Sequence, residues 1–269
     1  MSNIPTRNLA LFCDFENVAL GVRDARYDAF DIQKVLERLL LKGNIVVRKA
    51  YCDWGRYREF KAAMHEAAFE LIDIPHVRMS GKNSADIRMV VDALDLCYTK
   101  GHVDTFVVIS GDSDFSPLVS KLRENNKTVI GVGVKSSTSD LLMSNCDEFI
   151  FYDDLIRKPK KPAKKKAAKK KASKKAAAKP AVDEKQQEAF DLVLETTEDL
   201  FSDRDAEEKV WGSMVKQALK RRKPGFSESY HGFKSFNHLL QEAQKAGLLE
   251  LQHDEKSGGY IIKSYKSDD

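Results

Sequence analysis

Between residues 8 and 154, short apolar, β-favouring runs alternate with stretches of helical periodicity, and this alternation is the strongest constraint on the fold. "NLALFCD" (8–14), "NIVVRKAYCD" (44–53), "IDIPHVRM" (72–79), "TFVVI" (105–109), "KTVIGVGV" (127–134) and "EFIFYDD" (148–154) read as strands. "DIQKVLERLLLKG" (31–43), "RYREFKAAMHEAAFEL" (56–71), a stretch from Asp86, one over Pro117 to Asn125 and one near Ser139 to Ser144 read as helices. Pro75 cannot donate to a ladder, which places the third strand at an edge. Strands joined through helices of this length need crossover connections. The expected architecture is therefore α/β: a doubly wound, mainly parallel sheet with helices on both faces.

The strand ends carry the chemistry. "TFVVISGDSDF" (105–115) is a near-continuous apolar strand, suited to a sheet covered on both faces. Gly111 permits a sharp turn, and Ser116-Pro117 suits a helix start. Asp112 and Asp114 then stand at the carboxyl end of a central strand, where open α/β sheets bind ligands. The first strand runs likewise into Asp14, with Glu16 and Asn17 just beyond. In "GKNSADIRMVVDALDL" (81–96), Ser84 is a helix cap and Asp86 falls in the first turn. Any one of these aspartates reads most simply as a turn or cap residue. Carboxylates delivered by three separate segments to one sheet edge repel one another unless a cation is shared. Their oxygen donors suit a hard ion, Mg2+ or Mn2+.

Composition narrows the class. The chain has 269 residues, enough for one or two domains with cores of their own. No apolar run reaches the ~20 residues of a membrane span, so no membrane partner is expected. The start "MSNIPTRNLALF" lacks a basic segment followed by a long apolar one, so a cytoplasmic location is expected. Cys13, Cys52, Cys97 and Cys146 are isolated in sequence and read as buried reduced thiols rather than zinc ligands or disulfides. The net charge is +4, but Arg157 to Pro180 holds 12 lysines and one arginine with no acid, and without it the remainder stands at −9. This segment has no apolar periodicity and reads as a solvated linker between domains. Its lysines, among them Lys164, Lys165, Lys166, Lys169, Lys170 and Lys171, have the density that attracts phosphate backbones without regard to sequence. An inert, extended spacer is the plainer alternative.

The ordered set "FCDFEN", "KNSADIRMVVDAL", "VISGDSDF" and "VGVKSSTSDLLMSNCDEFIFYDD" resembles the NYN domain family, PIN-like ribonuclease folds that include LabA-type bacterial proteins. The resemblance covers about the first 155 residues. It implies a nuclease domain over residues 1–156 that uses acidic side chains to bind magnesium or manganese and cleave RNA. Asp14, Asp86, Asp112 and Asp114 match the acidic cluster, and Asn17 the polar residue after the first strand. On that basis Asp14 and Asp112 are expected as primary ligands, with Asp86 as a ligand or water-orienting base. Asp114 is a ligand or an outer support, and Asn17 a hydrogen-bond partner for a carboxylate or a phosphate. Lys82 is a candidate phosphate contact. Glu16 either faces this site or caps the following loop. Asp92 and Asp95 lie off its face of the helix. His65 and His76 read as structural. "WGRYREFK" (54–61) either grips single-stranded nucleic acid or starts an amphipathic helix.

After the linker (157–183), residues 184–265 read as a second domain. Three helical stretches (185–201, 209–222 and 234–247) precede a hairpin, which together make a small winged-helix unit. "GSMVKQALKRRKPGFSESYHGFKSFNHLLQEAQKAGLLEL" is similar to the OST-HTH (LOTUS) family, whose members are associated with RNA binding. Acids outnumber bases in this domain, and only Lys220, Arg221, Arg222 and Lys223 form a basic patch. A protein partner therefore competes with RNA there. Two other classes stand beside the ribonuclease. One is a non-catalytic RNA-binding or regulatory adaptor on the same fold. The other is a different magnesium-dependent α/β enzyme, for which Asp14-Phe15-Glu16 lacks the second aspartate of an aspartate-nucleophile phosphatase. A topoisomerase-primase scheme pairing Glu16 with Asp112 and Asp114 leaves Asp86 and Asn17 without a role.

Overall fold

The computed structural model describes residues 7–75, 83–156, 184–202, 209–255 and 257–266. The chain divides into two compact units, Met1–Ile156 with Lys220–Phe226, and Arg157–Leu219 with Ser227–Asp269. In the first, six parallel strands form one sheet: β1 (Arg7–Asp14), β2 (Gly43–Cys52), β3 (Glu70–Asp73), β4 (Thr105–Ile109), β5 (Thr128–Gly133) and β6 (Glu148–Phe151). Their order is β3-β2-β1-β4-β5-β6. The winding reverses between β1 and β4, the crevice where such sheets bind ligands. β3 lies at an edge, though it ends at Asp73, and residues 76–79 of the expected strand fall outside the described residues.

The helices are α1 (Phe15–Asp24), α2 (Ile32–Leu40), α3 (Lys61–Glu66), α4 (Ser84–Thr99), α5 (Ser116–Glu124), α6 (Asp140–Asn145) and α7 (Tyr152–Ile156). Two of them, α1 and α7, take residues that read as the continuation of a strand or as loop. The long helix expected over 56–71 is a 3-10 turn (Arg58–Phe60) running into the short α3. Ser84 is the first residue of α4 rather than its cap, a place held by Asn83.

The two-residue period of β1 divides the core. Leu9, Leu11 and Cys13 pack on one face with Phe15, Val35, Leu39 and Trp54; Ala10 and Phe12 pack on the other with Met89, Ala93, Leu118 and Val119. β4 repeats the division, with Val107 and Ile109 on the first face and Phe106 and Val108 on the second. Phe12 and Phe106 stack in parallel across these central strands, ring centres 6.0 Å apart. Each fully buried side chain of this size contributes about 1.5–3 kcal/mol. The aromatic residues of "WGRYREFK" belong to this core: Trp54, Tyr57 and Phe60 surround Phe15 at 4.9, 5.6 and 5.1 Å between ring centres. All four cysteines are free, buried thiols.

The second unit carries α8 (Glu184–Ser202), α9 (Gly212–Arg222) and α10 (Phe236–Lys245) with a small antiparallel sheet of β7 (Val210–Trp211), β8 (Leu249–Asp254) and β9 (Gly259–Tyr265), ordered β7-β9-β8. β8 and β9 form the expected hairpin. β7 was not expected, because its two residues sit against a helical stretch and pair only through the distant Ile261 and Ile262. Among the described residues no helix is long and apolar enough to cross a membrane.

Candidate active site

Asp14 is the last residue of β1, and the strand period puts it on the side of Ala10 and Phe12, the side covered by α4. It is 7% exposed. Ser110, directly after β4 and on the same face as Phe106 and Val108, is fully buried and donates its hydroxyl to Asp14 Oδ2 at 2.9 Å. The other oxygen, Oδ1, accepts the Asn17 backbone N–H at 3.3 Å, so Asp14 also caps α1. Asp112 does the same at the neighbouring strand: its Oδ1 accepts the Asp114 N–H at 2.9 Å and starts the 3-10 turn Ser113–Phe115. Its own N–H is held by Ser110 Oγ at 3.2 Å. Both aspartates are thus caps, as their sequence context allows, and both present charge at the positive ends of helical turns.

The two strand ends are tied together. Asn17 Oδ1 accepts the Gly111 N–H at 2.9 Å, and the Gly111 carbonyl accepts the Ser139 N–H at 2.9 Å. The side-chain amide oxygen of Asn17 is therefore committed to the loop after β4. Gly111 admits no side chain: a Cβ there would lie 2.4 Å from the Ser137 carbonyl oxygen.

The Asp14 carboxyl is raised from its usual 3.8 to about 7: burial above all, with the charges of Asp86 and Asp112, pushes it up against the hydrogen bonds from Ser110 and Asn17, which pull it back. Asp86, half-buried in the first turn of α4, is raised as well, first by burial and then by Asp112, Asp114 and Glu16. The fold therefore brings Asp14, Asp86, Asp112 and Asp114 to one edge, with Glu16 beside them. Glu16 pairs with Arg56 at 3.2 Å. Asp92, two turns along α4, is satisfied quite differently. Burial would raise it, but the Tyr51 hydroxyl at 2.9 Å, Lys49 at 3.4 Å and Arg88 at 3.0 Å hold it below its usual value. It is a packing residue. Among the described residues, ion pairs at this edge thus attend Glu16 and Asp92, not the four central aspartates.

Hard oxygen donors that raise one another's affinity for protons are the donor set a divalent cation fits. Among the described residues, however, no group of three or more His, Cys, Asp or Glu side chains converges closely enough to hold an ion as they stand. Lys82, His76 and the linker lysines Lys164 to Lys171 lie outside the described residues. Lys220, Arg221 and Arg222 form the last turn of α9, followed by the exposed Lys223. His65 is exposed on α3. Ser110 is the site residue that sequence reading passed over. The strand period alone assigns Ser110 to the Asp14 side.

The sheet is doubly wound with acidic residues at its switch point, a PIN-like α/β fold, and the NYN domain model matches residues 8–153. The chain belongs to the NYN domain family, which implies an RNA-related, nuclease-type activity. It is 28% identical over 120 residues to "Uncharacterized protein MJ0482" of Methanocaldococcus jannaschii, covering 45% of this chain and 47% of that protein. The chain thus spans about half the length of this curated relative. It is also similar to a solved structure, a protein of unknown function, VPA0982, from Vibrio parahaemolyticus. That likeness has a TM-score of 0.51 and 28% identity, and covers 58% of this chain and 98% of the other.

Proposed function

We propose that the chain is a divalent-metal-dependent ribonuclease that hydrolyses RNA phosphodiester bonds. One observation carries this reading: a buried aspartate at the sheet's switch point, raised to about 7 by burial and by Asp86 and Asp112 facing it. A fold keeps such a costly arrangement where function uses it. Asp14, Asp86 and Asp112 would hold Mg2+ or Mn2+, with Asp114 as a further ligand or support. The ion would supply positive charge to phosphate oxygens and lower the pKa of water. The chain's own residues do the rest. Ser110 orients Asp14, and the Asn17–Gly111 bond holds the Asp112 loop in register with β1. Asp86, as a ligand or as a water-orienting base, would help position the attacking water.

Lys82, the linker lysines and the Lys220 to Lys223 patch would contact the RNA backbone, and the OST-HTH-like C-terminal unit would bind RNA or a protein partner. The lack of a ready-made group of three ligands among the described residues favours a second reading, a non-catalytic RNA-binding adaptor. Incubating the full-length protein with labelled single-stranded RNA separates the two. Cleavage with manganese or magnesium that stops with chelator supports the ribonuclease. Binding without cleavage under every metal condition supports the adaptor.

A further inference from the structure

The carboxylate edge continues into an open groove of about 730 Å³. Asp86 and Asp114 belong both to its wall and to the acidic cluster. Its other wall residues are unusual for a protein surface. Ile87 and Val91, one turn apart on α4, and Leu141 on α6 line the groove and are 63%, 56% and 57% exposed. A helix ordinarily turns polar residues outward, so apolar side chains gathered here call for an apolar occupant. Phosphate is a poor one, since its charge would meet Asp86 and Asp114. A flat, neutral ring suits the aliphatic walls. The volume falls within the ~300–1,000 Å³ of small-ligand sites, room for a nucleoside but not for a duplex.

We propose that this groove seats one unstacked nucleobase of a single-stranded RNA beside the phosphate that the carboxylates handle. Ile87, Val91 and Leu141 pack its ring faces. The substrate class rests on the ribonuclease reading; the apolar groove does not. Paired RNA keeps its bases stacked and out of reach, so the groove selects single strands.

Photocrosslinking tests this with the full-length protein, in manganese, and a single-stranded RNA carrying one 4-thiouridine. The expected adducts map to Ile87, Val91 or Leu141. Val91→Glu, at an exposed position, lowers their yield about tenfold, the scale of losing one base contact. Tyr98→Ala, exposed on the same helix but outside the groove, leaves the yield unchanged. Adducts that map elsewhere overturn the proposal, as does an undiminished yield with Val91→Glu. So does a wild type whose self-association is lost in Val91→Glu while adducts persist, which assigns the face to a second copy of the chain. Groove adducts without cleavage sink the ribonuclease and keep the groove; cleavage without groove adducts does the reverse.

Discussion

At Asp14 two demands oppose each other. Burial against α4 favours the protonated form, whereas holding a cation requires the ionised one. The sign of the stability effect follows. With the folded carboxyl raised from 3.8 to about 7, the metal-free folded state holds the proton more tightly than the unfolded state between those values. Stability is fully present below pH 4, falls as pH rises through this window and levels off above it. Asp14→Asn removes the titration, so its melting temperature should lack this slope. Above pH 7 and without metal, the variant should exceed the wild type by on the order of 2 kcal/mol. Thermal melts from pH 4 to 8 in chelator check this, and parallel slopes in the two proteins would count against the raised carboxyl. At this scale the sequence was largely legible, because carboxylates at strand ends are visible as letters. The role of Asn17 was not. Its contact with Gly111 spans 94 residues and exists only once β1 and β4 are neighbours.

At the scale of elements, the loop between β4 and the following helical turn fixes the site. Gly111 is pressed against the backbone of Ser137 and Thr138, at 2.4 and 3.0 Å from where a Cβ would stand, and backbone cannot swing aside. Gly111→Ala should therefore cost about 1–3 kcal/mol by overpacking and should depress activity by shifting Asp112. Gly101→Ala, with nothing within 4 Å, should be close to neutral. Denaturant titration of both variants decides, and equal stabilities would contradict the packing of this loop. The strands were legible from their apolar runs, and α4 and α5 from their periodicity. α1 was missed although its signals were present: Asp14 as cap, Glu16 in the first turn, and Phe15, Val18 and Val22 on one face. Directly after a fully apolar strand, ten residues offer too few turns for the period to declare itself. α7 and β7 are shorter still, five and two residues, and their conformation is set by tertiary packing and pairing.

At the scale of the whole molecule, the charge is unevenly placed. The 13 positive charges of Arg157 to Pro180 adjoin a remainder that is net negative. Replacing that segment with a neutral spacer of the same length should weaken RNA binding and flatten its dependence on salt, because fewer counterions are released. Fluorescence anisotropy over a salt series measures both, and an unchanged slope would reduce the segment to a spacer. The most direct measurement of the central claim pairs RNA cleavage with manganese-dependent melting for the wild type and Asp112→Asn. The substitution keeps an oxygen to accept the Asp114 N–H and removes the charge that a cation needs. Cleavage should fall by at least a hundredfold while RNA binding persists, on the order of what losing a metal-holding group costs. Manganese should raise the melting temperature of the wild type more than that of the variant, since only a ligand that prefers the folded state stabilises it. Cleavage by the variant at the wild-type rate, or equal stabilisation of the two proteins by manganese, would contradict the account.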